Sequence, residues 1–196
     1  MVTTRERRII FLATPKEGKR YTYAEYYSWD DDTRWELMEG APYAMVPAPG
    51  QKHQSTVGEL YTQLATFLKK KPCKAFISPF DVRLNADSND DTVVQPDVIV
   101  VCDMNKLDGK SCVGAPDMVI EVLSPSTALR DRLVKLKLYQ LAGVREYWIV
   151  DPDLKTVSVH VLEDGRYFIA VYDETDVAPV NTLKGCVIDL SEVFIE

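Results

Sequence analysis

Long apolar runs are missing from this 196-residue chain, and so are clustered cysteines and histidines. No stretch approaches the roughly 18 consecutive apolar residues of a membrane span, so no membrane partner is expected. The apolar run near the start, Ile9–Ala13, is also short beside the about 7–15 residues of a secretory signal core. The chain is therefore read as cytoplasmic. The four cysteines (Cys73, Cys102, Cys112 and Cys186) are scattered, without a CxxC pair or a nearby histidine. In a reducing compartment they are expected to be free thiols that fill space rather than a zinc site. A basic excess is absent too. The formal net charge of −7 argues against a dedicated nucleic-acid coat, but not against an enzyme with a local basic cleft and a divalent ion.

What is present is an ordinary globular composition, 46% hydrophobic and 27% charged, sufficient for one sizeable core. Residues 1–20 read as a loosely ordered N-terminal extension in which IIFLA could add to a sheet edge, and residues 21–196 as a single domain. Thr22 and Glu25 have the capping-box spacing, which predicts a short helix over YAEYYSW. Arg34–Met38 reads as a strand, turned at Glu39-Gly40 and returning through Tyr43–Val46. Apolar residues from Val57 to Leu68 fall at helical spacing and predict a helix over Ser55–Lys70. Ala75–Leu84 reads as a strand, Lys106–Gly114 as a loop, and Ser126 or Thr127 as the cap of a helix that Gly143 stops. Val144–Val150 reads as a strand, followed by a hairpin of Val157–Val161 with Arg166–Tyr172. The order implies a mixed α+β (α/β) fold, a central mixed sheet flanked by helices with extra β-hairpins at both ends.

The stretch Gln95–Thr127 carries the chemistry. It reads as two strands buried on both faces, VIVV after Asp97 and MVI before Glu121, each with one carboxylate among apolar residues. A buried carboxylate is costly unless paired, hydrogen-bonded or metal-bound. Asp117 and Glu121, four apart on one strand, stand about 13 Å apart, too far to share an ion. Asp97 and Glu121, on neighbouring strands, can approach to about 5 Å. Carboxylates that close repel unless a cation lies between them, and an oxygen set suits Mg²⁺ or Mn²⁺ better than zinc. Alternatively, Asp97 starts its strand as a turn residue and Glu121 pairs with a buried Lys or Arg.

QPDV, followed about two dozen residues later by a strand ending in Glu-Val-Leu, resembles the PD-(D/E)xK nuclease signature. More narrowly, several segments resemble the Uma2 (DUF820) family of restriction-endonuclease-like proteins. They are RWELMEG, the His53-Gln54 pair, SPFDVRL, VQPDVIVV, GAPDMVIEVLSPST and the D…K…Y helix followed by GVREYWIVDP, together spanning roughly residues 21–196. The resemblance implies a restriction-endonuclease-like core and a Mg²⁺- or Mn²⁺-dependent endonuclease acting on DNA. Asp97 and Glu121 would be the metal-binding acids, with the Val122 carbonyl a further ligand. Leu123 stands where the superfamily carries its lysine. A lysine on the following helix is the natural substitute: Lys135, oriented by Asp131 or Tyr139, with Lys137 the second choice. On spacing alone the Asp131–Lys135 pair reads equally as a solvated ion pair.

Glu36, Glu39, Asp81 and His53 match further family positions. Glu36 is favoured over Glu39 to complete the site, because Glu39 makes the turn. Asp81 is read as surface, or as a further active-site acid that approaches Asp97 across the hairpin, and His53 as either a contact to phosphate or water or a capping or packing residue just before the long helix. His160 is read as surface, and Tyr147, Trp148 and Tyr61 as core or interface. DNA would reach the site over Arg130, Arg132, Lys135 and Lys137. Nucleases of this kind often pair to cut both strands, which implies a homodimer; a non-catalytic nuclease fold that binds DNA or a protein is the alternative.

Overall fold

A computed structural model describes residues 15–16, 18–30, 32–45, 48–125 and 128–194. The expectations for IIFLA and for the Ser126 and Thr127 caps lie outside them. The first helix, α1 (Tyr23–Tyr26), starts at the capping box, where Thr22 N donates to Glu25 Oε2 at 3.0 Å. The hairpin β1 (Trp35–Met38) and β2 (Ala41–Ala44) turns through Glu39 and Gly40, at φ 51° and 79°, as a tight two-residue hairpin requires. Helix α2 (Gln51–Leu68) follows, then β3 (Lys74–Ile77), β4 (Asp81–Arg83), β5 (Val93–Val94) and β6 (Val98–Val101). Beyond β7 (Ser111–Val113) and β8 (Met118–Val122), a π-helical stretch, Arg130–Lys135, runs into α3 (Leu136–Ala142). Gly143 ends it at φ 84°, the left-handed cap open to glycine. The chain closes with β9 (Glu146–Asp151), the hairpin β10 (Thr156–Glu163) and β11 (Arg166–Asp173), and the pair β12 (Val177–Pro179) and β13 (Val187–Asp189).

The central sheet has the order β11-β10-β9-β8-β6-β3. It is mixed: β8 and β9, linked through the helical crossover, are parallel, whereas the other neighbours are antiparallel. Alternate side chains of β8 serve opposite faces. Met118, Ile120 and Val122 pack with Val57, Leu60 and Leu64 of α2, while Val119 and Leu123 pack with Tyr139 of α3. Glu121 thus has the parity of the α3 face. A second sheet, β2-β1-β5-β4-β7, carries Glu36.

Several expectations are corrected. Cys73 and Cys102 form a disulfide, leaving Cys112 and Cys186 as buried free thiols. The antiparallel register Lys74↔Val101 sets the two flanking cysteines side by side, which scattered positions in the sequence do not reveal. The single strand over Ala75–Leu84 is two strands in different sheets, divided at the cis Ser78–Pro79 bond. The loop Lys106–Gly114 contains β7, which pairs in parallel with β4. Helix α2 begins four residues early, where Gln54 N reaches Gly50 O at 3.1 Å, so His53 lies inside its first turn. His160 is buried because its ring lies against Tyr147 of β9 and Tyr167 of β11, at 5.7 and 5.8 Å between centroids; its Nδ1 lies 3.2 Å from Tyr147 O. Burial pushes its pKa down. Among the described residues no helix is long and apolar enough to cross a membrane.

One buried acid was not anticipated at all. Glu146, fully buried on β9, accepts from Trp148 Nε1 at 2.8 Å, Asn181 N at 3.1 Å and Nδ2 at 3.2 Å, and Thr182 N at 2.7 Å and Oγ1 at 2.9 Å. It fastens the C-terminal segment to the central sheet. Glu146→Ala strips acceptors from the indole and two backbone N–H groups, at about 1–3 kcal/mol for each buried group left unpaired. A total loss of about 3–5 kcal/mol is expected, read as a lower denaturant midpoint.

Candidate active site

The site forms where the β6 and β8 ends meet the helical crossover. The register Val98↔Ile120 continues outward to bring Asp97 opposite Glu121. Asp97 Oδ2 accepts from Val122 N at 2.8 Å, and His53 Nε2 lies 3.3 Å from the same oxygen. From the α3 side, Tyr139 OH donates to Glu121 Oε1 at 2.7 Å and Lys135 Nζ at 2.8 Å. From the second sheet, Glu36 Oε1 lies 2.8 Å from Lys135 Nζ and also accepts from Gln95 N at 2.9 Å. Asp131 Oδ1 is 3.8 Å from the ammonium. One lysine thus joins three carboxylates from three elements.

Burial makes this arrangement consequential. Lys135 is 3% exposed and Glu36 1%, and opposite charges in such surroundings interact far more strongly than in water. Burial alone would depress the Lys135 pKa, but the charges of Glu121, Glu36 and Asp131 overcome it and raise it, so the ammonium stays charged. Glu121 is pushed well above the usual carboxylate range by burial; Lys135 draws it down, while Asp131, Asp97 and Glu36 push it up. Burial, then the Glu121 charge, raises Tyr139, which stays a donor. Burial opposes a charged His53, yet the bond to Asp97 and its charge leave the pKa raised.

The structure brings Asp97, Glu121, Glu36, His53, Lys135, Asp131 and Tyr139 together. Asp81 stands one residue away, and the surface reading is corrected: it is half-buried and accepts from Tyr26 OH at 3.0 Å and Gln95 Nε2 at 2.8 Å, and burial raises its pKa. Glu39 makes the turn, and Lys137 is exposed. Asp117 accepts from Cys102 N at 2.5 Å and pairs with Arg145, away from Glu121. Lys135 is too buried to lie on a surface path for DNA, and Arg132 pairs with Asp151 at 2.9 Å. Sequence reasoning missed Gln95. Its backbone holds Glu36 and its side chain links Asp81 to Arg34, whose Nη2 donates to Oε1 at 2.8 Å. Its place directly before Pro96-Asp97 was the available signal.

The geometry also accounts for Leu123. Positions 121 and 123 share one strand face, and Leu123 is buried there with Tyr139 and Tyr147. The cation comes instead from the π-helical stretch across that face. Such widened turns recur at functional sites; here the Tyr147 hydroxyl donates to the Asp131 carbonyl within it, at 3.1 Å.

Among the described residues, no three His, Cys, Asp and Glu side chains stand at metal-holding spacing. The pair Asp97 and Glu121 with the Val122 carbonyl is nevertheless an all-oxygen set, and Mg²⁺ is commonly held by one or two carboxylates with water completing its shell. Burial first, and then the charges of Asp131, Asp97 and Glu36, hold the Glu121 pKa high, and a cation would relieve that repulsion. The donor set fits a hard divalent ion.

A family model named Uma2, described as a putative restriction endonuclease, matches residues 23–191. The chain belongs to the Uma2 family. An uncharacterized protein of Synechocystis sp. is 29% identical over 157 residues, covering 78% of this chain and 80% of its own. The crystal structure of a DUF820 protein from Anabaena variabilis, described as a putative nuclease, has a TM-score of 0.71 at 20% identity. It covers 89% of this chain and 97% of its own, and it establishes the shared fold. The match takes in every residue of this Uma2 site, from Glu36 to Tyr139.

Removing the central cation should expose its structural weight. Lys135→Met leaves Glu36 and Glu121 buried without their ammonium, for an expected loss of about 3–5 kcal/mol. Without it, Glu121 folds only with its pKa raised, so that stability is fully present below the unfolded-state pKa and falls as pH rises through the folded one. Denaturant melts of Lys135→Met should therefore show a larger deficit from wild type at pH 8 than at pH 5.

Proposed function

We propose that this Uma2 protein is a Mg²⁺-dependent endodeoxyribonuclease of the PD-(D/E)xK type, hydrolysing phosphodiester bonds of DNA. The observation that carries the reading is the buried Lys135 ammonium, 2.8 Å from both Glu36 and Glu121, the latter opposite Asp97 across β8 and β6. Asp97, Glu121 and the Val122 carbonyl would hold Mg²⁺ or Mn²⁺, which when bound supplies charge to polarise a phosphoryl oxygen and to acidify water.

The chain's own groups set the rest. Lys135 presents a fixed positive charge to the negative charge that develops on the phosphate, and being pre-oriented it needs no reorganisation as that charge appears. Tyr139 OH holds Glu121 Oε1, Gln95 N holds Glu36 Oε1, and Val122 N together with His53 Nε2 fixes Asp97 Oδ2. The DNA backbone would approach over Arg130, 3.8 Å from Glu36, and the exposed Arg132 and Lys137, whose charges offset the acidic total locally.

A second reading, a nuclease fold kept for binding DNA or a protein, is favoured by Leu123 in the lysine position and by the engagement of Lys135 with carboxylates on three sides. Two measurements separate them. Supercoiled plasmid with Mg²⁺ should be nicked by the wild-type chain and left intact by Asp97→Ala; wild-type nicking by that variant rejects the proposal. Calorimetric titration with Mn²⁺ should show stoichiometric binding that Asp97→Ala and Glu121→Gln both abolish. A folded wild-type chain that neither nicks nor binds Mn²⁺ supports the second reading.

A further inference from the structure

The strand β11 ends the central sheet, and among the described residues no strand pairs with its outer edge. Its eight residues, RYFIAVYD, contain no lysine and no proline, and Phe168, Ile169 and Val171 are 59%, 62% and 64% exposed. Monomeric proteins guard such edges with charges, prolines, bulges or covering segments, because a free row of N–H and C=O groups beside apolar side chains recruits another strand. An ordinary outer hairpin strand keeps one face polar; here Phe168 and Ile169 leave both faces apolar.

We propose that β11 pairs antiparallel with β11 of a second copy, about a two-fold axis through Ala170, joining the two central sheets into one. The choice of partner and register follows from the strand's own order. A two-fold axis normal to a sheet keeps each side chain on its face, and directly opposed residues share a face, so one residue must oppose itself. With Ala170 at the axis, Phe168 meets Tyr172, Ile169 meets Val171, and Arg166 meets Glu174, which already pairs with Lys155 at 2.9 Å in its own chain. Phe168, Ile169, Val171 and Tyr172 thus meet apolar partners, Tyr167 meets Asp173, and opposite charges close both ends, with Glu174 one residue beyond the strand.

The neighbouring registers lack this complementarity. Centring on Phe168 overlaps only five residues of the strand, and centring on Ile169 sets Phe168 against Ala170 and Tyr172 against Arg166, so that fewer large apolar side chains meet. Centring on Val171 sets Phe168 and Ile169 against Glu174 and Asp173. The smallest side chain of the strand thus lies where two copies cross most closely. This interface is independent of whether the chain cleaves DNA.

The test reads mass and register, not activity. Sedimentation of the wild-type chain should give a dimer, and Ile169→Lys should give a monomer with an unchanged circular dichroism spectrum. Arg166→Glu should weaken the dimer about tenfold by setting acid against acid at both ends, and Arg166→Glu combined with Glu174→Arg should restore it. Opposed Cβ atoms lie about 4.5–5.5 Å apart, so Ala170→Cys should cross-link to a disulfide dimer under mild oxidation, whereas Phe168→Cys should not. The other thiols are buried or already paired. A monomeric wild-type chain, a dimer that survives Ile169→Lys, or an Ala170→Cys chain that stays uncross-linked overturns the proposal.

Discussion

A single ammonium group, on Lys135, holds this protein's polar centre together. Glu121, buried among valines and isoleucines, would be costly there alone, and Glu36 from the second sheet and Asp131 from the crossover add repulsion. The lysine offsets all three at once, at 2.8, 2.8 and 3.8 Å. Elements far apart in sequence, β1, β8 and the crossover helix, are thereby tied at one point. Under the proposed function stability and chemistry would be coupled there, because the group that makes the acids tolerable would also meet a developing charge.

The surroundings serve that point. Helix α2 covers one face of the central sheet and α3 the other, so the β6 and β8 strands can be nearly all apolar except at their shared end. The π-helical stretch widens the turn that carries Asp131 and Lys135 inward and leaves Leu129 and Leu133 in solvent. Gln95 acts at the rim, linking Glu36 to Asp81 and Arg34, so hydrogen bonds join the two sheets beside the apolar cluster in which Val82 and Val94 pack with Ile99 and Val119. At the opposite end of the central sheet, Glu146 performs a purely architectural version of the same task, with neutral donors in place of a cation.

Much of this was legible in the residue order, for identifiable reasons. The rise along a strand separated Asp117 from Glu121 and left Asp97 as its neighbour, and hairpin and cap chemistry located Glu39-Gly40, Gly143 and the Thr22–Glu25 start. Legibility ended where contacts are long-range. The Cys73–Cys102 bridge depends on β3 pairing with β6. The burial of His160 depends on Tyr147 of β9 and Tyr167 of β11 lying against its ring. The half-burial of Asp81 depends on Tyr26 and Gln95 closing over it.

By itself, then, the sequence determined the alternation, the caps and the family to which the chain belongs, because each is carried by neighbours along the chain or by the order of short segments. Only the tertiary structure decided that Leu123 belongs to the core and that the cation arrives from the crossover helix. Spacing could mark Asp131, Lys135 and Tyr139 as one stripe, but a solvated pair and a buried one have the same spacing. What separates them is the sheet that lies beneath the helix, and that is a property of the fold.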